Sequence, residues 1–255
     1  MLYRALRFCL FCLLPLLSST SQASDLLILG DDNYRPLIYL DPQHQPAGLL
    51  VDVIEHYAKV SGKAIRIRLY PWKRAYTSAE NAQGGVIGLS RTEERLALFD
   101  YSDPIYDDTI NVVVRKDHAF MFHDLSDLKG KKIGVQLGAS YGSDVDSAIA
   151  AGDIQVEADQ THAARMRKVL HGRVDAAFLG NGRLGLETIL DSDPELAQHK
   201  DELIILDQPL IRDPLYLGFA KSMQMQAFLA DFNRVLAAAR ANQSVPGLSE
   251  SPVQP

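Results

Sequence analysis

"KAIRIRLYPWKRAYTSAENAQGGVIGLS", residues 63–90, decides the fold class. "KAIRIRLY" alternates apolar and polar residues as a strand does, and "GVIGLS" reads as a further strand. Between them Pro71 stands at the favoured first position of a helix. Upstream, "DLLILG" reads as a buried strand. Leu50, Val53, Ile54 and Tyr57 then recur at helical spacing, with Asp52, Glu55, His56 and Lys59 between them and Gly62 closing the helix. The order is βαβαβ.

After a transition near residues 108–116 the order repeats. "KKIGVQ" reads as a strand, Ser140 to Ala151 as a helix ended by Gly152, and "IQVEA" as a strand. A helix carrying Ala163, Met166, Val169 and Leu170 follows, then the strand "VDAAFL". Strands alternating with helices imply α/β architecture, mostly parallel sheets with helices on both faces. Two such units imply two lobes with a cleft between them.

The C-terminal "LYLGFAKS" and a helix with Phe228, Leu229, Phe232, Val235 and Leu236 on one face have no third lobe to join. They return to the first lobe, so the chain crosses twice, near Asp107 and Pro214. The expected division is residues 24–107 with 215–240 as lobe 1 and 108–214 as lobe 2. The polar, proline-containing end leaves residues 241–255 as a flexible tail.

Residues 1–23 read as a cleaved signal peptide: Arg4 and Arg7, an apolar run from Phe8 to Leu17, and small residues at Ser21 and Ala23 before the cut. The run is about ten residues, well short of the roughly 20 that span a bilayer. Both cysteines, Cys9 and Cys12, lie within it, so the mature chain has no disulfide and no Cys-ligated metal. Removing it takes two of the 26 basic residues, leaving 24 against 32 acidic and a formal charge of −8. That balance argues against a nucleic-acid partner.

Open parallel sheets bind ligands beyond the carboxyl ends of their strands. Arg95 sits at such a place: the strand ends at Ser90, Thr92 is the N-cap, and Glu93 and Glu94 occupy the first turn. Helix N–H groups, the Ser90 hydroxyl and a guanidinium converge there, a combination suited to a carboxylate. The simpler reading pairs Arg95 with Glu93, Glu94 or Asp100. Ser140 opens a second helix from the opposite side of the cleft, and the pair strengthens the carboxylate reading.

Gly30-Asp31-Asp32-Asn33-Tyr34-Arg35-Pro36, "AGLLVDVIE", "LSRTEER", "FDYSDPIY", "LKGKKIGVQLGAS" and "GRVDAAFLG" follow in an order and spacing that resemble the periplasmic solute-binding proteins of the polar amino-acid type, the receptors of ABC importers. The resemblance covers residues 25 to 240, and "S-x-T-x-x-R" followed by "F-x-x-S-x-P-x-Y" is its most specific part. It implies the two-lobed type II periplasmic-binding fold and a monomeric periplasmic receptor without a cofactor. Such a receptor closes on an amino acid or related organic acid and presents it to a membrane permease. It implies that Arg95 clamps the ligand carboxylate, with Ser90 beside it and Ser140 closing from the second lobe. It further implies that Tyr34 and Trp72 form walls and that Asp31 stands near the ligand's side chain; read alone, the two aromatics are equally core residues and Asp31 the cap of a turn.

One departure matters. The family's acid for the α-ammonium group falls where this chain has Phe178-Leu179-Gly180-Asn181-Gly182. Losing such a charge-assisted hydrogen bond removes about 1.5–3 kcal/mol. Asn181 accepts a hydrogen bond but supplies no charge. The ligand is then either a carboxylate without an α-ammonium group or an amino acid held by Asp31, Asp144 or another acid. The acid usual in the turn before "GVIG" is also absent.

Two rival readings share the scaffold. The chain also resembles the cyclohexadienyl dehydratases, for which Glu187, His171 and Lys73 are candidate proton donors, and a receptor can serve a membrane sensor instead of a transporter. No G-x-S-x-G, P-loop or G-x-G-x-x-G occurs. His118 and His123 in a loop read as solvated histidines or as a metal pair. Lys73 or Arg74 turned inward would suit a dicarboxylate.

Overall fold

Parallel strand trios form the frame of both halves of the molecule. The structure, a computed structural model, describes residues 25–248; the expected signal peptide lies outside them. In the first half β1 (Leu26–Asp31) pairs in parallel with β5 (Ile65–Tyr70) on one side and β6 (Gly85–Ser90) on the other. Helix α1 (Leu49–Ser61) and helix α2 (Trp72–Glu80) make the crossovers. Short strands β2 (Asn33–Tyr34), β3 (Ile38–Leu40) and β4 (Pro46–Ala47) form a separate antiparallel ribbon. Helix α3 (Glu93–Leu98) and strand β7 (Phe99–Tyr101) follow β6.

The second half repeats the scheme. Strand β9 (Lys132–Gln136) pairs in parallel with β10 (Gln155–Asp159) and β11 (Ala176–Leu179), with α4 (Ser143–Ala150), α5 (His162–Leu170) and α6 (Gly182–Ser192) around it. Strand β12 (Leu203–Ile205) is short. Two long strands, β8 (Tyr106–Arg115) and β13 (Ile211–Ala220), join the halves. They pair antiparallel from Tyr106–Leu215 to Ile110–Ile211, with Asp107 opposite Pro214. Beyond that stretch β8 pairs antiparallel with β11 and β12, while β13 pairs antiparallel with β6 and β7. One continuous path results, β10-β9-β11-β8-β13-β6-β1-β5.

Alternation along each strand feeds two faces. Ile28, Ile87, Leu217 and Phe219 pack under α1 and the C-terminal helix α7 (Gln226–Ala241), whose Phe232 and Leu236 close that core. Leu29, Val86 and Leu89 face α2 through Ala75, Tyr76 and Ala79. In the second half Val112, Val114, Ala176 and Phe178 face the α4 side, and Val113, Ala177 and Leu179 face α5 and α6. Sheets buried on both faces explain the near-continuous apolar runs of these strands.

Two expectations need correction. The helix expected from Ser140 begins at Ser143, because Gly142 takes φ 88° at the N-cap and Ser140 lies outside the helix. The tail does not fray from residue 241: Val245 and Leu248 are buried in the α1/α7 core, since apolar side chains spaced after the helix can turn back onto it. Residues 249–255 lie outside the described residues.

Candidate functional site

Arg95 is held by the short helix α3. Thr92 at the N-cap accepts a hydrogen bond from the Arg95 backbone N–H (3.3 Å), which sets the helix start immediately after strand β6. The Arg95 side chain is 4% exposed. Its guanidinium lies 4.8 Å from the centre of the Tyr76 ring and donates to the carbonyls of Ser90 and Gly138, both at 3.4 Å. Among the described residues no ion pair forms with Glu93, Glu94 or Asp100; Asp100 is engaged by Lys221 and Gln226. The Tyr76 hydroxyl is a further neighbour of this guanidinium, and a five-donor group held by contacts this long has donors left for an incoming anion.

Gly138 belongs to the second half, so its carbonyl joins the halves. Trp72, at the start of α2, donates its indole N–H to the same oxygen at 3.0 Å. On the other flank Gln136 Nε2 donates to Asp31 Oδ2 at 2.5 Å, and the Tyr34 hydroxyl donates to Asp108. The Tyr34 ring stacks on His162, centroids 5.4 Å apart. These contacts enclose a cavity of about 50 Å³ between the halves. Asp31, Tyr34, Trp72, Ser90, Arg95 and Ser140 all line it, so six of the seven expected site residues converge. Asn181 does not line it; its Oδ1 accepts from the Tyr106 hydroxyl at 2.9 Å, and its backbone N–H donates to Asp108.

The absence of an acid at position 180 has a steric cause. A Cβ on Gly180 would stand 1.8 Å from the Tyr34 hydroxyl and 2.5 Å from Asp108 Oδ2. The space is already held by a carboxylate, but one that arrives from β8. Asp213, opposite Asp108 in the β8/β13 pair, accepts from the Ser90 hydroxyl at 2.7 Å. Burial pushes Asp31 up to about 6 and Asp213 up to about 7, and raises Asp108 against the hydrogen bonds from Tyr34, Asn181 and Thr109. Two guanidiniums, Arg95 and Arg165, share the cavity wall with these three carboxylates. Carboxylates beside guanidiniums at one cavity are suited to a zwitterion, each charge meeting its opposite.

The family model of the bacterial extracellular solute-binding proteins, family 3, matches residues 26–251. The chain belongs to this family. It is 24% identical over 166 residues to the L-cystine-binding protein TcyJ of Escherichia coli K12, covering 64% of this chain and 62% of that protein. It is 30% identical over 125 residues to the arginine-binding extracellular protein ArtP of Bacillus subtilis 168, covering 48% of each. These matches span less than two thirds of either relative's length. An ancestral arginine-binding protein bound to arginine superposes with a TM-score of 0.73 at 21% identity, covering 90% of this chain and 98% of that one. The two-lobed α/β fold expected from the resemblance is the fold of this solute-binding protein.

In this family 3 chain the other candidates are engaged within the protein or lie elsewhere. Ser140 lines the cavity, but its hydroxyl is bonded to Asp146 and it caps no helix. Asp144 and Glu187 are exposed on helices, and His171 pairs with Glu195 at 2.6 Å on the surface. Arg74 lies over the Tyr70 ring at 4.0 Å, and Lys73 and Arg74 line an outer groove, not the cavity. His118 is bonded to Arg115, and no cluster of metal-ligating side chains occurs among the described residues. The sequence reading missed Asp108, Gln136, His162, Arg165 and Asp213. One signal was available: His162 and Arg165 fall on the same stripe of α5 as Met166, Val169 and Leu170, where charged residues are out of place unless partnered.

Proposed function

We propose that the protein is a monomeric periplasmic receptor, exported by its signal peptide, that binds a small carboxylate-bearing solute and presents it to the membrane permease of an ABC importer. The solute class is amino acids and related organic acids, as in the relatives named for cystine and arginine. The observation that carries this reading is Arg95: a guanidinium buried at the cleft with no carboxylate ion-paired to it among the described residues. A buried cation of this kind is stabilised when an anion arrives, so the anion is supplied by the solute.

The roles divide by lobe. Arg95 and the neighbouring Ser90 bind the carboxylate from lobe 1, residues 24–107 with 215–240, and Ser140 and the Gly138 turn close from lobe 2, residues 108–214. Tyr34 and Trp72 cover the apolar part. Asp108 and Asp213 take an ammonium group in place of the acid missing at Gly180. Closure turns on the β8/β13 pair around Asp107 and Pro214, and the permease reads the closed form.

Thermal unfolding of the mature protein against amino acids, dicarboxylates and aromatic acids tests this. A solute at a hundredfold its Kd stabilises by about 2.7 kcal/mol, which moves the midpoint of a chain this size by roughly 5–11 °C. The expected result is such a shift with one chemical class, the solute being recovered unchanged by NMR. Recovery of a dehydrated product, or no shift with any class, contradicts the receptor reading.

A further inference from the structure

The largest fully buried side chain is Arg165, 1% exposed, on the second-lobe helix α5. Its stem lies flat on β9, where a Cβ on Gly134 would come within 2.8 Å of Arg165 Cγ. Its head reaches the interlobe cavity. One nitrogen, Nη2, donates to His162 Nδ1 at 2.7 Å; Nε and Nη1 are buried with no hydrogen-bond partner among the described residues. No carboxylate forms an ion pair with Arg165 among the described residues. The nearby Asp31 accepts from the Asn33 N–H (2.9 Å) and from Gln136, and Arg165 attracts its carboxylate without forming an ion pair with it.

His162 extends the pattern. A guanidinium nitrogen only donates, so Nδ1 accepts and the ring proton sits on Nε2. That Nε2 is also buried and unpartnered. Arg165 Nε and Nη1 and His162 Nε2 are therefore buried donors, one set charged, beside a cavity whose opposite wall carries Arg95. An uncompensated charge in such a place is costly, and hydrophobic replacement of buried ionic groups is often neutral or stabilising.

We propose that Arg165, with His162, is a second anion anchor, and that the solute is an amino dicarboxylate: one carboxylate on Arg95, the other on Arg165, and the ammonium group toward Asp108 and Asp213. This rests on the receptor reading above and narrows its solute class. It also excludes basic amino acids, whose side-chain cation would face Arg165.

The test is calorimetric titration of the full mature chain with matched pairs, L-glutamate against L-glutamine and L-2-aminoadipate against L-norleucine, together with melting of the free protein. Wild type is expected to bind one of the diacids at least tenfold more tightly than its monocarboxylate partner. Arg165→Gln removes that preference, and Arg165→Lys restores part of it. Because no carboxylate forms an ion pair with it among the described residues, Arg165→Gln also holds or raises the melting midpoint of the free protein, whereas a structural arginine would lower it. Binding of monocarboxylate amino acids or of L-arginine in preference to every diacid overturns the inference and leaves the receptor reading standing. So does an unchanged diacid preference in Arg165→Gln, or a lowered midpoint with that preference intact in Arg165→Lys and Arg165→Gln alike. No binding of any solute by wild type removes both.

Discussion

At the scale of single residues, Gly180 carries the sharpest stereochemical prediction. Its missing side chain leaves room for the Tyr34 hydroxyl and the Asp108 carboxylate to meet. In Gly180→Ala the new methyl displaces Tyr34 and breaks that hydrogen bond. The solute's affinity is expected to fall at least tenfold, read by calorimetry, with a lower melting midpoint; an unchanged protein would mean the contact is dispensable. The position of Arg95 at the cavity was legible in the sequence because its context is local: a strand end, a capping threonine and a first turn within six residues. Asp108 and Asp213 were not, because each stands among polar neighbours at a crossing between the lobes that reads as a connection, and Arg165 was not, because a basic residue in the polar stretch of α5 reads as solvated. Only the pairing of β8 with β13, and of α5 with β9, brings them to one cavity. Asn181 was expected at the site from its sequence neighbours, but its left-handed backbone, φ 63°, and the Tyr106 hydroxyl hold its side chain aside.

At the scale of elements, α3 has six residues, too few to be stable by itself. Its cap therefore matters to where Arg95 stands. Thr92→Ala is expected to cost about 1 kcal/mol, a fall of roughly 2–4 °C in the melting midpoint, and to weaken solute binding because the arginine's backbone loses its anchor. Stability loss with full affinity would show that β6 and Tyr76 alone position Arg95. The alternating strands and the helices α1, α2 and α5 were readable because period 2 and period 3.6 differ plainly over these lengths. The start of α4 was not, because a hydroxyl at Ser140 imitates a cap while the glycine two residues on sets the backbone. The ten-residue strands β8 and β13 were read as a transition and as an unassigned segment after the crossing near Pro214, since their two halves belong to different sheet neighbours.

At the scale of the whole molecule, three carboxylates, Asp31, Asp108 and Asp213, are buried between the halves, and stability should follow their protonation. Burial pushes Asp31 up to about 6 and Asp213 up to about 7 from an ordinary 3.8. Between the ordinary and raised values the folded protein holds more protons than the unfolded chain, so stability is lost as pH rises through that window. The free protein's melting midpoint is expected to be higher at pH 5 than at pH 8. Bound solute should flatten the slope, because an ammonium group supplies the charge that the ionised acids need. A free protein that gains stability from pH 5 to 8 would place these acids in water, and with them the lobes apart.

The central claim is that Arg95 is the anchor on which the lobes close. Calorimetric titration of wild type and Arg95→Ala with the solute that most raises the wild-type melting midpoint tests it most directly. Truncating one member of a buried charge pair costs about 2–5 kcal/mol. We therefore predict affinity at least about 30-fold weaker in the variant, with an unchanged far-ultraviolet circular dichroism spectrum. Equal affinity in the two proteins would contradict the account.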